Sequence, residues 1–210
     1  TIDLPASPNG YHLLMDRCCR NGNIQNVFDP SNEGEAWYAF IPPTSVINNS
    51  PTFAVPPVPF ICAADTVSVL NSAFDADGDL LIYHFTTPLA GISDGTNSNP
   101  NFPATYTWPI PQITYAAGYS FAQPFGPGGY ADIDTLTGLT TYLAPNQGYY
   151  VVAVEVREYR NGFLVGISRL DFQLILITCP INPAPIPAAG GSTTLSVQEG
   201  QTLCFNITYN

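Results

Sequence analysis

Apolar and polar residues alternate along two neighbouring segments of the chain, which is typical of β-strands with two different faces. In Tyr149–Tyr159, the even positions from 150 to 156 hold Tyr or Val, whereas the odd positions include Glu155 and Arg157. This pattern predicts a strand that is buried on one face only. A second strand pattern covers Phe163–Ile177, and Asn161-Gly162 lies between the two. Because Asn-Gly between two strand patterns is a strong signal of a tight turn, the two segments are predicted to form a hairpin.

Shorter apolar runs between turn-forming residues predict further strands, and no stretch has the spacing of a helix of three turns. The stretch 86–127 contains many Pro, Gly and aromatic residues and gives few strand signals. The shorter predicted strands are Tyr11–Met15, Glu35–Ile41, Thr66–Leu70, Leu80–Phe85, Thr105–Trp108 and Ala131–Ile133.

Proline-rich stretches indicate how the strands are divided along the chain. Several prolines between residues 51 and 59 mark a border, and Pro, Ala and Gly dominate 180–191, the composition of a semi-rigid linker. The prediction is a partial β module at 1–50 that ends a preceding domain, then a β-sandwich at 51–179. After the linker at 180–191, residues 192–210 are predicted to be the first strands of a following β domain, at Thr194–Val197 and Leu203–Tyr209. We therefore expect a fragment of a longer multi-domain protein.

Composition favours an all-β fold and excludes some partners. Only 10% of the 210 residues are charged, so Ser, Thr, Asn, Gln and Gly must carry the polar surface, which suits strands and turns more than helices. The net charge is −11 and the chain has no lysine. Binding to nucleic acid or to an anionic membrane surface is therefore not expected. No apolar run approaches the about 18 residues that a membrane span needs.

The cysteines favour an exported protein with disulfide bonds. Cys18, Cys19, Cys62, Cys179 and Cys204 match neither a zinc site nor a Cys-x-x-Cys redox pair. Because their number is odd, at least one must pair elsewhere or stay free. We expect a partner for Cys204 downstream of residue 210, and the alternative is a buried free thiol. Cys18 and Cys19 are predicted to point to opposite faces of a strand and to form separate bridges, with a vicinal disulfide as the alternative.

The segment Phe74–Tyr83 contains the most distinctive candidate site. Asp75, Asp77 and Asp79 alternate around an Asp-Gly turn, and like charges at this spacing repel unless a turn separates them or a cation lies between them. Since Ca²⁺ prefers several hard oxygen ligands, one hypothesis is a calcium site of these three aspartates. The other hypothesis is a plain Asp-Gly hairpin with solvated carboxylates.

Other charged and aromatic residues are predicted to have structural roles. Arg17 and Arg20 flank the double cysteine, and we favour guanidinium groups that hold carboxylates or backbone carbonyls over a ligand-facing role. His12 and His84 lie in predicted strands and are not expected to be catalytic bases. No nucleophile motif or phosphate-binding loop occurs, so an enzyme is not expected. Core packing is expected for most of the large aromatic residues, with a sugar-stacking platform as the alternative for Trp37, Trp108, Tyr115 and Tyr130.

Six short motifs follow one another along the chain from about Leu4 to Cys179. They are Arg17-Cys18-Cys19-Arg20-Asn21, Asn48-Asn49-Ser50-Pro51-x-Phe53, Ile61-Cys62, Asp75-Ala76-Asp77-Gly78-Asp79, Glu158-Tyr159-Arg160-Asn161-Gly162, and Asp171-Phe172-Gln173 followed by Cys179. In this order they resemble a module of very large surface proteins of gliding Bacteroidetes, the gliding-motility adhesins exported by the type nine secretion system. The double-cysteine and Glu-Tyr-Arg-Asn-Gly motifs are the more specific ones.

The central part is also similar to cadherin-like and Ig-like repeats. The similarity lies in the Asp-x-Asp turn, in the Ile-Asp-x-x-Thr-Gly turn at Ile133–Gly138, and in Glu158 near the end of a late strand. It implies an all-β fold of Ig/cadherin-like β-sandwich modules in tandem. Cadherins hold calcium with such carboxylates between successive domains, so this similarity implies Glu158 as a further calcium ligand beside Asp75, Asp77 and Asp79. Since the linker after Cys179 lacks the acidic element of cadherins, a complete cadherin-type calcium cluster is not expected.

The family resemblance implies a structural or adhesive segment of a large exported protein on the outer face of a Gram-negative bacterium. The implied partners are neighbouring domains of the same chain, the secretion machinery in transit, and surface glycans or other adhesion targets. Calcium is the one cofactor considered. The family also implies O-glycosylation at Asp-Thr-apolar sequences, here Thr66 and Thr135. The alternative function, from a different class, is a carbohydrate-binding accessory module of a secreted multi-domain protein.

Overall fold

The computed structural model describes residues 3–53, 60–92 and 108–179, which fold largely into β-strands. No α-helix occurs in these three ranges, and one 3₁₀ turn spans Pro30–Asn32. The predicted all-β class is confirmed. The strands are β1 (Tyr11–Arg17), β2 (Glu35–Ile41), β3 (Thr52–Phe53), β4 (Phe60–Cys62), β5 (Thr66–Leu70), β6 (Ala73–Phe74), β7 (Leu80–Thr86), β8 (Tyr130–Ile133), β9 (Leu139–Leu143), β10 (Gly148–Arg160) and β11 (Phe163–Ile177).

The strands form two main sheets that pack against each other. The larger sheet has the order β1-β2-β11-β10-β7, with all of these neighbours antiparallel. Strand β4 runs parallel to the end of β11 and completes this sheet. The smaller sheet has the order β5-β9-β8, and β3 pairs separately with β6. Two layers of mainly antiparallel strands with a shared core are the arrangement of a β-sandwich.

The long strands β10 and β11 form the predicted hairpin at the centre of the larger sheet. They contain 13 and 15 residues. Asn161 and Gly162 connect them with φ angles of 52° and 83°. Tight hairpin turns of this kind need positive φ at both central residues, which explains the Asn-Gly sequence.

The core between the two sheets is built around aromatic rings. Tyr142 of β9 lies edge-on to Phe85 and Phe125, with ring centroids 6.0 and 5.9 Å away. The ring of Phe125 is 5.4 Å from that of Tyr150 on β10. Because Tyr142, Phe125 and Tyr150 are each 1% exposed, their packing contributes strongly to the stability of the sandwich. The other buried members of this cluster are Ile61, Ala144, Val152, Leu174 and Leu176.

Strand β10 is buried on both faces, and the prediction of a half-buried strand was wrong. We call the face of the larger sheet that is turned away from the smaller sheet the outer face. On this face Val151 and Ala153 are 1% and 0% exposed. A second apolar cluster covers Val151 with side chains from irregular loops, among them Ile24, Val27 and Ile113. The alternation along β10 cannot reveal a cover that comes from distant loops.

Strands from both sides of the predicted border at residue 50 share the larger sheet. Strand β2 pairs with β11, and Thr1–Thr178 form one compact unit. Residues 1–50 therefore contribute two strands to the same sheet as β10 and β11, where we expected a separate module. The unit ends next to the predicted linker. The linker at 180–191, the predicted module at 192–210 and the predicted strand Thr105–Trp108, except its last residue, lie outside the described residues.

Candidate metal centre

The turn between β6 and β7 folds around the side chain of Asp75. Its Oδ1 accepts hydrogen bonds from the backbone N–H groups of Asp77, at 3.0 Å, and Asp79, at 2.8 Å. Gly78 has a φ of 78°, a conformation that glycine adopts without strain and that reverses the chain at this point. The turn thus brings Asp79 back beside Asp75, and the aspartates do not lie along one side of an extended strand.

Glu158 reaches the same place from β10. Its side chain is completely buried, and Gly166 of β11 stands directly opposite. A Cβ atom at Gly166 would overlap Oε2 of Glu158, so the missing side chain makes room for the carboxylate. One carboxylate oxygen each of Asp75, Asp79 and Glu158 lie within 4.8 Å of one another. Three of the four predicted ligands therefore converge.

Asp77, the fourth predicted ligand, does not join this group. Its carboxylate accepts hydrogen bonds from the backbone N–H of Asn49, at 2.7 Å, and from Nδ2 of Asn49, at 2.8 Å. These two hydrogen bonds hold the pKa of Asp77 below its usual value, and the bond from the backbone N–H has the larger effect. Asp77 therefore connects the turn to the segment before β3 and remains ionised in this role.

Arg160, at the end of β10, neutralises part of the acidic group. Its Nε and Nη2 bind the two oxygens of Asp79 at 2.7 and 2.6 Å, the bidentate geometry that gives strong charge-assisted bonds. Nη2 also contacts Oδ2 of Asp77 at 3.1 Å, and Nη1 donates to the carbonyl of Ile47 at 2.7 Å. One guanidinium group thus joins three segments that are distant in sequence.

Asn48 links this arginine to the buried glutamate. Its Oδ1 accepts a hydrogen bond from Nη2 of Arg160 at 2.9 Å. Its Nδ2 lies 3.2 and 3.3 Å from the two carboxylate oxygens of Glu158. The amide is thereby oriented by a cation on one side and by a carboxyl group on the other.

Asp75 and Glu158 have no cationic partner among the described residues. Oδ2 of Asp75 is buried and accepts no hydrogen bond. The neighbouring carboxyl group of Glu158 can donate a hydrogen bond only when it is protonated. Burial first, and then the neighbouring Asp75, raise the pKa of Glu158 to about 7. Two buried carboxylates that face each other must either share a proton or bind a cation.

The donor set fits a hard divalent cation. Asp75, Asp79 and Glu158 present carboxylate oxygens, which Ca²⁺ prefers. Oδ2 of Asp75 is buried and accepts no hydrogen bond, and a cation held by the three carboxylates would supply a partner for it. With a divalent ion in place, both buried carboxyl groups would be ionised, and the cost of burying them together would fall.

Sequence reasoning assigned no role here to Arg160, Asn48, Asn49 or Gly166. Arg160 and the two asparagines lie within motifs that carry the family resemblance, and that was the only available signal for them. Gly166 is recognised only from the register between β10 and β11, which places it opposite Glu158.

The cysteines are bonded in a different way from that predicted. Cys18 and Cys19 form a disulfide with each other, whereas we expected separate bridges. The alternation rule did not apply to them because β1 ends at Arg17 and both residues lie beyond the strand. Cys62 and Cys179, both predicted disulfide cysteines, are also disulfide-bonded. Cys204 lies outside the described residues.

The remaining candidate residues lie away from the acidic group. His12 is on β1 and His84 on β7, as predicted for strand residues. Thr66, at the start of β5, and Thr135, in the turn before β9, both have exposed side chains. Their exposure is compatible with the predicted glycosylation, which stays a prediction.

Comparison with protein-family models, curated proteins and solved structures found no match to this chain. The resemblance to gliding-motility adhesins therefore depends on the six motifs alone. Within the described ranges, no helix has the length and apolar character needed to cross a membrane.

Proposed function

We propose that this chain is a structural and adhesive segment of a large exported cell-surface protein. In this proposal Asp75, Asp79 and Glu158 bind a Ca²⁺ ion that strengthens the β-sandwich. The observation that carries the proposal is the set of bonds made by Arg160, which joins Ile47, Asn48 and the turn at 75–79 to the end of β10. Charged side chains here cross-link distant segments, which suits a module whose role is mechanical.

A calcium ion would add to the same set of cross-links. Arg160 already compensates Asp77 and Asp79, whereas Asp75 and Glu158 retain two uncompensated carboxyl groups in a buried place. An ion bound there would connect the turn at 75–79 directly to β10. Calcium sites of extracellular modules have dissociation constants of about 0.1–1 mM, and we expect this range here.

Surface labelling of the cells that make this protein tests the proposed role. Antibodies raised against the chain should bind intact cells before any permeabilisation. On a denaturing gel, the same antibodies should detect a polypeptide much larger than 22.6 kDa. Labelling that appears only after permeabilisation would contradict a surface role. Detection of only a small intracellular polypeptide would also contradict the proposal that the chain is part of a large multi-domain protein.

A carbohydrate-binding accessory module is the second candidate function, and one observation favours it. The side chain of Trp108 is 60% exposed although its ring lies 4.6 Å from that of His12. An exposed indole with an aromatic neighbour is a suitable platform for the apolar face of a sugar. A catalytic domain encoded next to this segment would favour this second function, whereas further copies of the module would favour the first.

A further inference from the structure

A row of aromatic and charged side chains crosses the outer face of the larger sheet. The register places Tyr38 of β2 opposite Arg169 of β11, Arg169 opposite Glu155 of β10, and Glu155 opposite His84 of β7. Residues that are directly opposite on neighbouring strands point to the same face. Since neighbouring strands are about 4.8 Å apart, the row from Tyr38 to His84 is about 14 Å long.

One end of the row is aromatic and open to solvent. Nδ1 of His12 and the hydroxyl of Tyr38 are 2.9 Å apart and form a hydrogen bond. The ring of Trp108 lies 4.6 Å from that of His12 and 6.0 Å from that of Tyr38. His12 is exposed and Trp108 is 60% exposed. An aromatic group this large is normally buried, and its exposure beside two polar rings provides a stacking surface with adjacent hydrogen-bonding groups.

In the middle of the row, two arginines share one carboxylate: Arg169, which belongs to the row, and Arg157, two positions from Glu155 on β10. Glu155 contacts Nε of Arg157 at 2.7 Å and Nη2 of Arg169 at 3.2 Å. The side chain of Arg169 is only 10% exposed, and its buried Nε has no hydrogen-bond partner. The side chain of Arg157 is 43% exposed. An accessible guanidinium therefore lies beside a buried one that has an unused donor.

The nearby acids on the same face are occupied by other groups. Asp171 forms an ion pair with Arg20 at 2.6 Å. Asp16 accepts a hydrogen bond from the backbone N–H of Ile92 at 2.5 Å. Among the described residues, Arg157 and Arg169 share Glu155, and these three side chains carry one excess positive charge in a chain whose net charge is −11. Asp171, which also interacts electrostatically with Arg169, is itself paired with Arg20. A local positive charge on an acidic protein favours an anionic ligand over a neutral one.

We propose that this row binds an oligosaccharide with carboxylate groups, such as a short chain of uronic acids. One pyranose ring stacks on Trp108, and a carboxylate further along the chain pairs with Arg157 and Arg169. Stacking uses the apolar C–H face of the sugar, whereas a guanidinium binds a carboxylate through parallel hydrogen bonds. The inference rests on the adhesive role proposed above and names the class of its target. It uses no residue of the candidate metal centre.

Titration with defined oligosaccharides tests this inference. The intact chain in chelator, which prevents calcium bridges between acidic sugars, is titrated with oligogalacturonate, with a neutral galactose oligomer of equal length, and with a sulfated one. The chain contains only two tryptophans, so the fluorescence of Trp108 can report binding. We expect binding of the uronate oligomer at least about tenfold tighter than binding of the neutral one. Equal binding of the two, stronger binding of the sulfated oligomer, or no binding would overturn the inference.

Two pairs of variants separate the row from the rest of the surface. Trp108→Ala and Arg157→Gln should each weaken uronate binding at least about tenfold, and Arg157→Lys should restore part of the affinity lost in Arg157→Gln. The matched controls are Phe163→Ala, which removes an aromatic ring that is 76% exposed, and Arg17→Gln, which removes another exposed arginine. Binding should be unchanged in both controls. Equal losses in variants and controls would overturn the inference, while surface labelling of cells could still support the adhesive role.

Discussion

Arg20 and Asp171 are 151 positions apart in the chain and form a buried ion pair. Nη1 and Nη2 of the arginine bind the two carboxylate oxygens at 3.2 and 2.6 Å, and both side chains are 1% exposed. The same guanidinium donates to the carbonyls of Gly34 and Leu89. This confirms the structural role favoured for Arg20 from the sequence, and it explains why residues 1–50 belong to the same unit as β11.

Removal of this arginine should strongly destabilise the fold. Arg20→Met would leave Asp171 buried without its counter-charge, and such losses cost about 3–5 kcal/mol. Urea denaturation followed by circular dichroism measures the free energy of unfolding. Arg17→Met, at an exposed position in the same segment, should change it by no more than about 0.5 kcal/mol. Equal unfolding midpoints for the two variants would mean that the ion pair does not support the fold.

Glu158 should make the calcium-free protein less stable as the pH rises. Its pKa is about 7 in the folded state and 4.5 ordinarily, so between these values the folded protein holds a proton that the unfolded chain has lost. The stabilisation that the protonated Glu158 provides is therefore fully present below the ordinary pKa of 4.5. It is lost as the pH rises through the folded-state pKa of about 7, at up to about 1.4 kcal/mol per pH unit.

Glu158→Gln isolates this effect because the amide cannot ionise. In chelator, the free energy of unfolding of the variant should rise relative to that of the original chain as the pH increases through this window. The measurement is urea denaturation of both proteins from about pH 4 to about pH 8. A difference between them that does not depend on pH would show that Glu158 has an ordinary pKa.

Gly166→Ala should displace the carboxylate of Glu158, because the new Cβ would overlap Oε2. We expect a destabilisation of about 1–3 kcal/mol, the usual cost of forcing an extra group into a packed site. Gly166→Ala combined with Glu158→Ala is the control, since the shorter side chain removes the overlap. In a double-mutant cycle of unfolding free energies, the glycine substitution should cost much less in the Glu158→Ala background. Equal costs in both backgrounds would exclude this close contact.

Phe125→Ala should be among the more damaging core substitutions. The ring is 1% exposed and packs edge-on against Tyr142 and Tyr150, so its loss leaves a cavity between the sheets. Thermal and urea unfolding should show a loss of about 3–5 kcal/mol. Phe163→Ala, at an exposed hairpin position, should have little effect. A small loss at Phe125 would mean that the two sheets do not share this core.

The long strands could be predicted from the sequence, whereas several short ones could not. The alternation in β10 and β11 and the Asn-Gly turn determined the central hairpin. Strand β9 was missed because its buried positions are Thr140 and Tyr142, while Leu139 is exposed. Its buried face therefore combines a polar threonine with an aromatic residue, and its apolar residues do not lie on one face. The two-residue strands β3 and β6 are too short to show any pattern.

The candidate metal centre was predicted in part. The local sequence identified the aspartate turn, and the similarity to cadherin-like repeats added Glu158. The choice of Asp75 and Asp79 over Asp77 follows from hydrogen bonds to the backbone and to Asn49, which depend on the folded turn. The burial that raises the pKa of Glu158 depends on the pairing of β10 with its neighbours, and no local spacing in the sequence indicates it.

Calcium titration of the intact chain at about pH 8, above the pKa of about 7 of Glu158, tests the candidate metal centre most directly. Calorimetry should show heat of binding with a dissociation constant of about 0.1–1 mM, and calcium should raise the melting temperature above that in chelator. Glu158→Gln should lose both effects, whereas Asp132→Asn, at an exposed position on β8, should keep them. Absence of heat together with an unchanged melting temperature would contradict the calcium site, as would an equal response from Glu158→Gln.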